Sequence, residues 1–392
     1  MHSWPTILSM VCASGAAVGC VYLAVAILAV TKFPRRQAPN SAPAAPVSVL
    51  KPLHGDEPGL AARLSGYFDQ NYGGVVHMVC GVREDGDGAA EHARHVRRGN
   101  QGSVDLIVSA REHGPNRKIS NLVNILSLAR HDILVISDSD IEVGRDYLAR
   151  VVAELHEENV GAVTCLYHGV SSRNIWSRHE SLVINSHFLP NMVVAVTFGL
   201  ANPCCGSTIV VRRRTLEAIG GFERFGKHLA DDYEIGKSVR QAGYKVAIPG
   251  FTVGHHCFSD SFRSLLAREL RAARTVRSID PLGYAGAFIT HPFPLALAGA
   301  FAYGSSALAL AACALSLRAL LCMVVEKAFA LPRQPYTLLL ANEMISFLAF
   351  WGSFIVPRIE WRGVEFMVTT GGELKSVECR DRERTNLKNK RC

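Results

Sequence analysis

Apolar residues run almost unbroken from Ile7 to Thr31, about the length that crosses a bilayer as one helix. Lys32, Arg35 and Arg36 follow at once, and no Lys or Arg precedes the run. Positive charge on that flank predicts a cytoplasmic chain beyond it and an N-terminus outside. The run is too long for a cleaved secretory signal, and no small-residue cleavage pattern closes it. The pattern predicts an anchor over residues 7–31 and a linker over 32–46, rich in Pro and Ala from Gln37 to Pro46.

From Val47 the period changes. Short apolar strands are predicted at Val47–Leu50, Val75–Val82, Val104–Val108 and Asp132–Ile136, with helical spacing at Glu57–Gln70, Gly88–Gly99 and Asn116–Arg130. In the last of these, Ile119, Leu122, Val123 and Leu126 recur at three- and four-residue steps, the stripe of an amphipathic helix. Strand and helix in alternation predict an α/β domain with a parallel sheet covered on both faces. Farther on, strands are predicted at Gly161–Tyr167, Ser207–Val211 and Tyr244–Ile248, and helices at Tyr147–Glu158, from Leu229, and at Ser261–Ser278. Trp176–Leu200, apolar and punctuated by Ser and Asn, suits either the membrane surface or an acceptor pocket. The domain is predicted to cover residues 47–280.

Long apolar stretches then return. Phe288–Tyr303 reads as a span lightly broken by His291, Pro292 and Pro294, and Ala307–Val325 as a second, with Arg318 near enough to an end to snorkel. In Tyr336–Pro357 the carboxylate of Glu343 leaves spanning and interfacial readings open. Residues 281–357 are therefore read as two or three membrane segments, and 358–392 as a loosely ordered basic tail on the cytoplasmic side.

Composition agrees with a soluble domain joined to membrane segments. Of 392 residues, 48% are hydrophobic and 19% charged, and the mean hydropathy of +0.15 is too high for an ordinary soluble enzyme and too low for a transporter. A formal net charge of +8 favours anionic partners. No zinc-finger spacing, RNA-binding signature or aromatic–basic stripe is present, so nucleic acid is not an expected partner. The 11 cysteines are scattered, without a CxxC pair, and read as reduced thiols.

The stretch with most chemistry is Leu134–Asp140, an apolar strand running into two carboxylates, Asp138 and Asp140. Ligands of α/β sheets bind beyond the carboxyl ends of the strands, and two hard oxygen ligands there suit Mg²⁺ or Mn²⁺ carrying a diphosphate. The bland alternative is a strand-ending turn. Glu84 and Asp85 follow the second strand, Asp231 and Asp232 open a later helix, where capping is the alternative, and Arg268 and Arg271 lie on the basic helix. His255 and His256 lack matching ligands nearby in sequence and read as a partly buried strand end.

In this order and spacing the chain resembles inverting nucleotide-sugar glycosyltransferases of the GT-A type, more closely lipid glycosyltransferases of the ceramide glucosyltransferase type, and within these the bacterial hopanoid-biosynthesis glycosyltransferases. Leu50–Leu53, Asn116–Leu122, Asp138–Ile141, Val163–Tyr167, Leu229–Tyr233, Arg268–Arg277, Pro281–Tyr284 and Thr290–His291 carry the resemblance, over roughly residues 47–365. It implies a GT-A (Rossmann-like) domain with N- and C-terminal transmembrane helices. It also implies transfer of a single sugar, N-acetylglucosamine or glucose, from a UDP-sugar to a hopanoid polyol such as bacteriohopanetetrol, at the inner (plasma) membrane. Asp138 and Asp140 would hold Mg²⁺ or Mn²⁺. Asp232 would be the general base, beside Asp231, its ionised form favoured at a helix N-terminus. Glu84, Asp85, Lys118 and Arg268 would bind the nucleotide, with Asn116 a further candidate, and Arg271 would meet the leaving diphosphate. Ala272 departs from the pattern, standing where the family's Q/R-x-x-R-W motif has Trp.

Three other readings remain: a ceramide glucosyltransferase, a processive polysaccharide synthase, and a non-catalytic membrane scaffold. The synthase usually needs the complete motif and more spans, and intact Asp138, Asp140 and Asp232 argue against the scaffold.

Overall fold

The computed structural model describes residues 4–35, 44–172, 174–355, 358–361, 364–368 and 374–376. The chain divides into two compact units. Arg36–Tyr167 and Asn202–His256 form one; the described residues of Met1–Arg35, His168–Ala201 and Cys257–Cys392 form the other. By compactness, then, 168–201 and 257–280 group with the apolar helices rather than with the sheet.

The sheet unit is built on β1 (Val47–Pro52), β2 (Val76–Val82), β3 (Val104–Val108), β4 (Ile133–Ser137), the two-residue β5 (Ile141–Glu142), β6 (Val160–Thr164), β7 (Leu166–Ser171), β8 (Thr208–Arg212), β9 (Lys245–Ala247) and β10 (Thr252–Cys257). The last residues of β7 and β10 cross into the other unit. The main sheet runs β3-β2-β1-β4-β8-β6-β9. It is mixed, which corrects the all-parallel expectation: β1, β2, β3 and β4 are parallel, but β8 runs antiparallel to both β4 and β6. Between β6 and β8 the chain leaves for a long excursion, and it re-enters with Thr208 opposite Ser137, at the carboxyl end of β4. An apolar run carries no information about that direction. Its consequence is functional, because the turn before β8 is thereby laid against the turn after β4.

Helices cover both faces; in chain order the first nine are α1 (Trp4–Lys32), α2 (Leu60–Ser65), α3 (Gly88–Gly99), α4 (Arg117–Leu126), α5 (Tyr147–His156), α6 (Ile175–Val183), α7 (Leu189–Thr197), α8 (Arg213–Ala218) and α9 (Asp231–Gln241), of which α2–α5, α8 and α9 belong to the sheet unit. Six consecutive buried residues make up β1, as expected of a strand buried on both sides. Val47 and Val49 face a core shared with α3 (Gly88–Gly99) and α5 (Tyr147–His156), while Leu50 faces the core of α4 (Arg117–Leu126) and α9 (Asp231–Gln241). Of the predicted stripe of α4, Ile119 and Leu122 are buried, Val123 and Leu126 are half-buried, and Ile125, outside the predicted stripe, completes the buried face. Only Leu60–Ser65 of the predicted Glu57–Gln70 helix forms; Gly59, at φ 74, precedes it.

The helical unit holds Trp4–Lys32, the pair Ile175–Val183 and Leu189–Thr197 joined by a π turn at Ile184–Phe188, the basic helix Phe262–Ile279, and Pro292–Tyr303, Ser305–Phe329 and Leu339–Ile355. Among the described residues, three helical stretches are long and apolar enough to cross a membrane: Thr6–Lys32, Ser305–Phe329 and Tyr336–Ile355. On the first, Leu8, Val21 and Leu28 are more than 60% exposed, as on a face turned to lipid. Phe288–Tyr303 holds no single helix long enough to cross the core. Its helix has 12 residues and rises about 18 Å, short of the ~30 Å core. Pro292 opens it and Gly304, at φ 52, ends it. Nor does Arg318 snorkel: it is fully buried and pairs with Glu343 at 2.8 Å. Beyond the last helix, Arg358–Trp361, Val364–Val368 and Leu374–Ser376 form an antiparallel three-stranded sheet, so this part of the tail is ordered. Its basic end from 377, and linker residues 36–43, lie outside the described residues.

Candidate active site

Asp138 follows β4 directly, and the turn from Asp138 to Asp140 is fixed from three sides. Beneath it lies Lys51, fully buried at the end of β1. Its ammonium donates to the Asp138 carbonyl at 2.8 Å, the Ser137 hydroxyl at 3.2 Å and the Tyr67 hydroxyl at 3.3 Å, which uses all three of its protons. Burial pulls Lys51 down to about 7, against the charge of Asp138. To one side, Arg63 donates to the Ser139 carbonyl at 2.8 Å, and Ser139 donates to Glu57 at 2.7 Å. From the turn before β8, the Ser207 carbonyl accepts the Asp138 N–H at 3.4 Å.

Lys118, on the first turn of α4, points its ammonium at Asp138 Oδ1, 2.7 Å away, and lies 3.8 Å from Asp231 Oδ2. Burial works against its charge, but Asp138, Asp231 and Asp232 outweigh burial and raise it. Asn116 caps α4 through Oδ1 and donates from Nδ2 to Asp231 Oδ1 at 3.1 Å. Asn116 thus serves both the helix start and the acidic pair.

Capping does not account for Asp231 and Asp232. The N-cap of α9 is Ala230, without a side-chain cap, and both carboxylates reach across to other elements. Asp232 Oδ2 accepts the Gly206 N–H at 2.7 Å, and Oδ1 that of Tyr233 at 2.8 Å. A Cβ at Gly206 would stand 2.9 Å from Asp232 Oδ2 and 3.3 Å from Lys118 Nζ, so glycine permits the approach. The ionised form of Asp232 is less favoured than the helix N-terminus alone predicts. Burial first, then the charge of Asp231, push Asp232 up to about 6, against Lys118 and the two N–H donors. Burial likewise raises Asp138, opposed by Lys118 and assisted by Asp140.

Asp140 is the more open ligand candidate. Its Oδ1 is buried without a hydrogen-bond partner, and its Oδ2 lies 3.6 Å from His255 Nδ1. β10 pairs with β5 and carries His255 there, while its neighbour His256 reaches Glu142 at 2.6 Å. Sequence spacing hid both partners of the two histidines. Among the described residues, no three His, Cys, Asp or Glu side chains are gathered to hold a metal. Two carboxylates with one bare oxygen do fit Mg²⁺ or Mn²⁺ of the kind that completes its shell with substrate phosphates and water.

Glu84 is exposed in the loop after β2, and Asp85 pairs with Arg94 on the surface. The more embedded acid of that loop is Asp87, which caps α3 and accepts the Gly55 N–H at 2.8 Å. Arg268 and Arg271 lie on the basic helix of the other unit, where Arg268 pairs with Glu180 at 3.2 Å. Sequence reasoning gave Lys51 no role beyond its place in Leu50–Leu53 and passed over Tyr67, Glu57 and Arg63. The one available signal was a lysine ending an apolar strand.

Lys51→Met is expected to lower activity by about 10- to 100-fold, the usual cost of losing a group that orients a metal ligand. Rates titrated against Mn²⁺ would check this. Unchanged Mn²⁺ dependence and rate would reduce Lys51 to a packing role.

The family described as Glycosyl transferase family 21 matches residues 11–374. Ceramide glucosyltransferase 1 of Caenorhabditis elegans is 25% identical over 204 residues, 52% of this chain and 43% of that protein. Ceramide glucosyltransferase 3 of the same organism is 22% identical over 357 residues, 85% of this chain and 75% of that protein. The chain thus spans under half of the first relative and three quarters of the second. Among solved structures, the mannosyltransferase PcManGT from Pyrobaculum calidifontis, in complex with GDP-Man and Mn²⁺, superimposes with a TM-score of 0.52 at 19% identity, covering 89% of this chain and 99% of that one. That likeness establishes the fold, an α/β GT-A-like domain with a mixed sheet and long apolar helices at both ends.

Proposed function

The chain belongs to glycosyl transferase family 21, and from that premise we propose that it moves one hexosyl unit from a UDP-sugar to a hydroxyl of a membrane lipid, with inversion. One observation carries the reading: Asp138, Asp231 and Asp232 are drawn around Lys118 and Gly206 where β4 and β8 meet. A carboxylate raised to about 6 is a better proton acceptor near neutrality than an ordinary one, yet is still ionised there. Asp232 takes the proton of the acceptor hydroxyl as its oxygen attacks the anomeric carbon and the sugar–phosphate bond breaks toward UDP. Asp231 and Asn116 position the helix start that presents Asp232. Lys118 supplies positive charge beside Asp138. Bound by Asp138 and Asp140 together with donor phosphate oxygens, Mg²⁺ or Mn²⁺ would neutralise charge on the leaving diphosphate. Glu84 or Asp85 at the nucleotide, and Arg268 and Arg271 toward the diphosphate, are assigned from the motif alone.

The acceptor we propose is a hopanoid polyol such as bacteriohopanetetrol, with N-acetylglucosamine or glucose as the sugar. Ceramide is the second reading, favoured by the curated relatives, which are ceramide glucosyltransferases. Mass spectrometry of lipids from cells with and without the gene decides. A glycosylated hopanoid lost with the gene supports the first reading, and a lost hexosylceramide the second.

The sheet unit is assigned to the cytoplasmic side of the inner membrane, from Lys32, Arg35 and Arg36 after the first apolar helix. Cys165 and Cys257 are buried, so an impermeant thiol reagent needs a new exposed cysteine. Gln241→Cys is expected to stay unlabelled in intact cells and to react after lysis. Labelling from outside would reverse the orientation.

A further inference from the structure

The helical unit carries an arginine that is anchored at one corner and otherwise unspent. Arg268 lies on the basic helix Phe262–Ile279 and Glu180 on α6, and both belong to that unit. Glu180 Oε2 accepts the Ser259 N–H at 2.9 Å, and Oε1 accepts from Arg268 Nη1 at 3.2 Å. The segment just before the basic helix thus fixes one oxygen of the carboxylate, and the other oxygen holds the guanidinium. One turn earlier on α6, Trp176 meets Phe262 with ring centres 5.8 Å apart, so the two helices touch at two levels. The Glu180 side chain is 5% exposed and that of Arg268 36%. An arginine has five N–H donors. Apart from the one that meets Glu180, those of Arg268 have no partner among the described residues.

Stability does not account for this arrangement. A partly exposed ion pair contributes little, and a buried carboxylate is costly enough that well-packed apolar side chains often serve a fold as well or better. What the carboxylate does supply is an anchor. It holds a long side chain in one place, so less rotamer freedom is left to lose when a ligand arrives. The free edges of a guanidinium match the oxygens of a phosphate in geometry and in charge. A neutral hydroxyl offers no charge to it, and a cation is repelled.

We propose that Glu180 is a positioning residue that holds Arg268 ready for a phosphate group. The inference rests on the proposed function, under which that phosphate is the donor diphosphate; an anionic lipid headgroup is the other source of the same chemistry. The test is calorimetry on the purified full-length chain in detergent, with UDP, uridine and dioctanoyl phosphatidic acid as probes and Mn²⁺ present for the first two. Arg268→Gln is expected to weaken UDP about tenfold or more, the worth of charge-assisted hydrogen bonds. Glu180→Gln keeps the size and loses the charge, and should weaken UDP roughly threefold to tenfold. The double variant should be no weaker than Arg268→Gln alone, because Glu180 acts through Arg268. Uridine, which has no phosphate, should bind every variant as it binds the parent, a selectivity that a general structural defect would not preserve. If Glu180→Gln does not fold, Glu180→Asp decides: its carboxylate is drawn back by one methylene, and its loss should again fall on UDP and spare uridine. The same losses with phosphatidic acid and none with UDP would keep the positioning role and assign it to a lipid headgroup. Parent-like affinity of the Glu180 variant for both phosphate probes, or equal losses for UDP and uridine, would overturn the inference. Failure of the transferase reading looks different: no lipid gains a sugar, while UDP still binds and still responds to both variants.

Discussion

Asp232→Asn is expected to lower lipid glycosylation by about 10²- to 10⁴-fold, the usual worth of general-base assistance. Asparagine keeps the size and can still accept a hydrogen bond from the Gly206 N–H, now 2.7 Å from Asp232 Oδ2, but it cannot take a proton. The loss should therefore fall on transfer, while UDP-sugar affinity by calorimetry stays within a few-fold of the parent. Asp231→Asn is expected to be milder, since that side chain bonds Asn116 and faces Lys118. The pH profile follows from the same group. Asp232 is pushed up to about 6, burial being the largest cause, and acts only when ionised. Turnover should hold above that pH and fall about tenfold per unit below it. An acid limb near 4 would mean that the base is an ordinary carboxylate elsewhere. A dead Asp231→Asn beside an active Asp232→Asn would shift the role by one residue.

Asp138→Ala and Asp140→Ala are each expected to abolish transfer, because the charge that accumulates on the leaving diphosphate loses its neutralising cation. The two variants should differ in detail. Removing Asp138 also leaves Lys118 without its 2.7 Å partner, so a structural effect is superimposed. Asp140 is pinned more lightly, and Asp140→Ala should leave the thermal midpoint within a few degrees of the parent. Excess EDTA should silence the parent enzyme, and Mn²⁺ restore it. Full turnover in EDTA, or by both variants, would remove the metal from the mechanism.

Much of this was legible from periodicity, because burial on two faces writes itself as short apolar strands and burial on one face as a helical stripe. β1, β2, β3, β4 and α4 fall within a residue or two of expectation, α4 ending early, at Leu126. Direction is another matter. The apolar run of β8 looks alike read either way, and only the excursion before it makes β8 antiparallel to β4. The acids of the site were visible as acids, but their partners were not. Gly206 meets Asp232 from 26 residues away, and Lys51 meets the Asp138 carbonyl from 87 residues away. Charges in apolar runs misled for the same reason. In sequence Arg318 reads as placed to snorkel and Glu343 as a costly lone carboxylate, and folding pairs them at 2.8 Å.

The central claim is that this site moves a sugar to a lipid hydroxyl with Asp232 as the base. Its most direct test is one reaction of the purified full-length chain in detergent with a UDP-sugar, Mn²⁺ and bacteriohopanetetrol or ceramide, followed by mass spectrometry of the lipid. The site geometry predicts that one of the two lipids gains a single sugar in step with UDP release, and that Asp232→Asn loses that product while still binding the nucleotide. A product undiminished in Asp232→Asn, or UDP release with neither lipid modified, would contradict it.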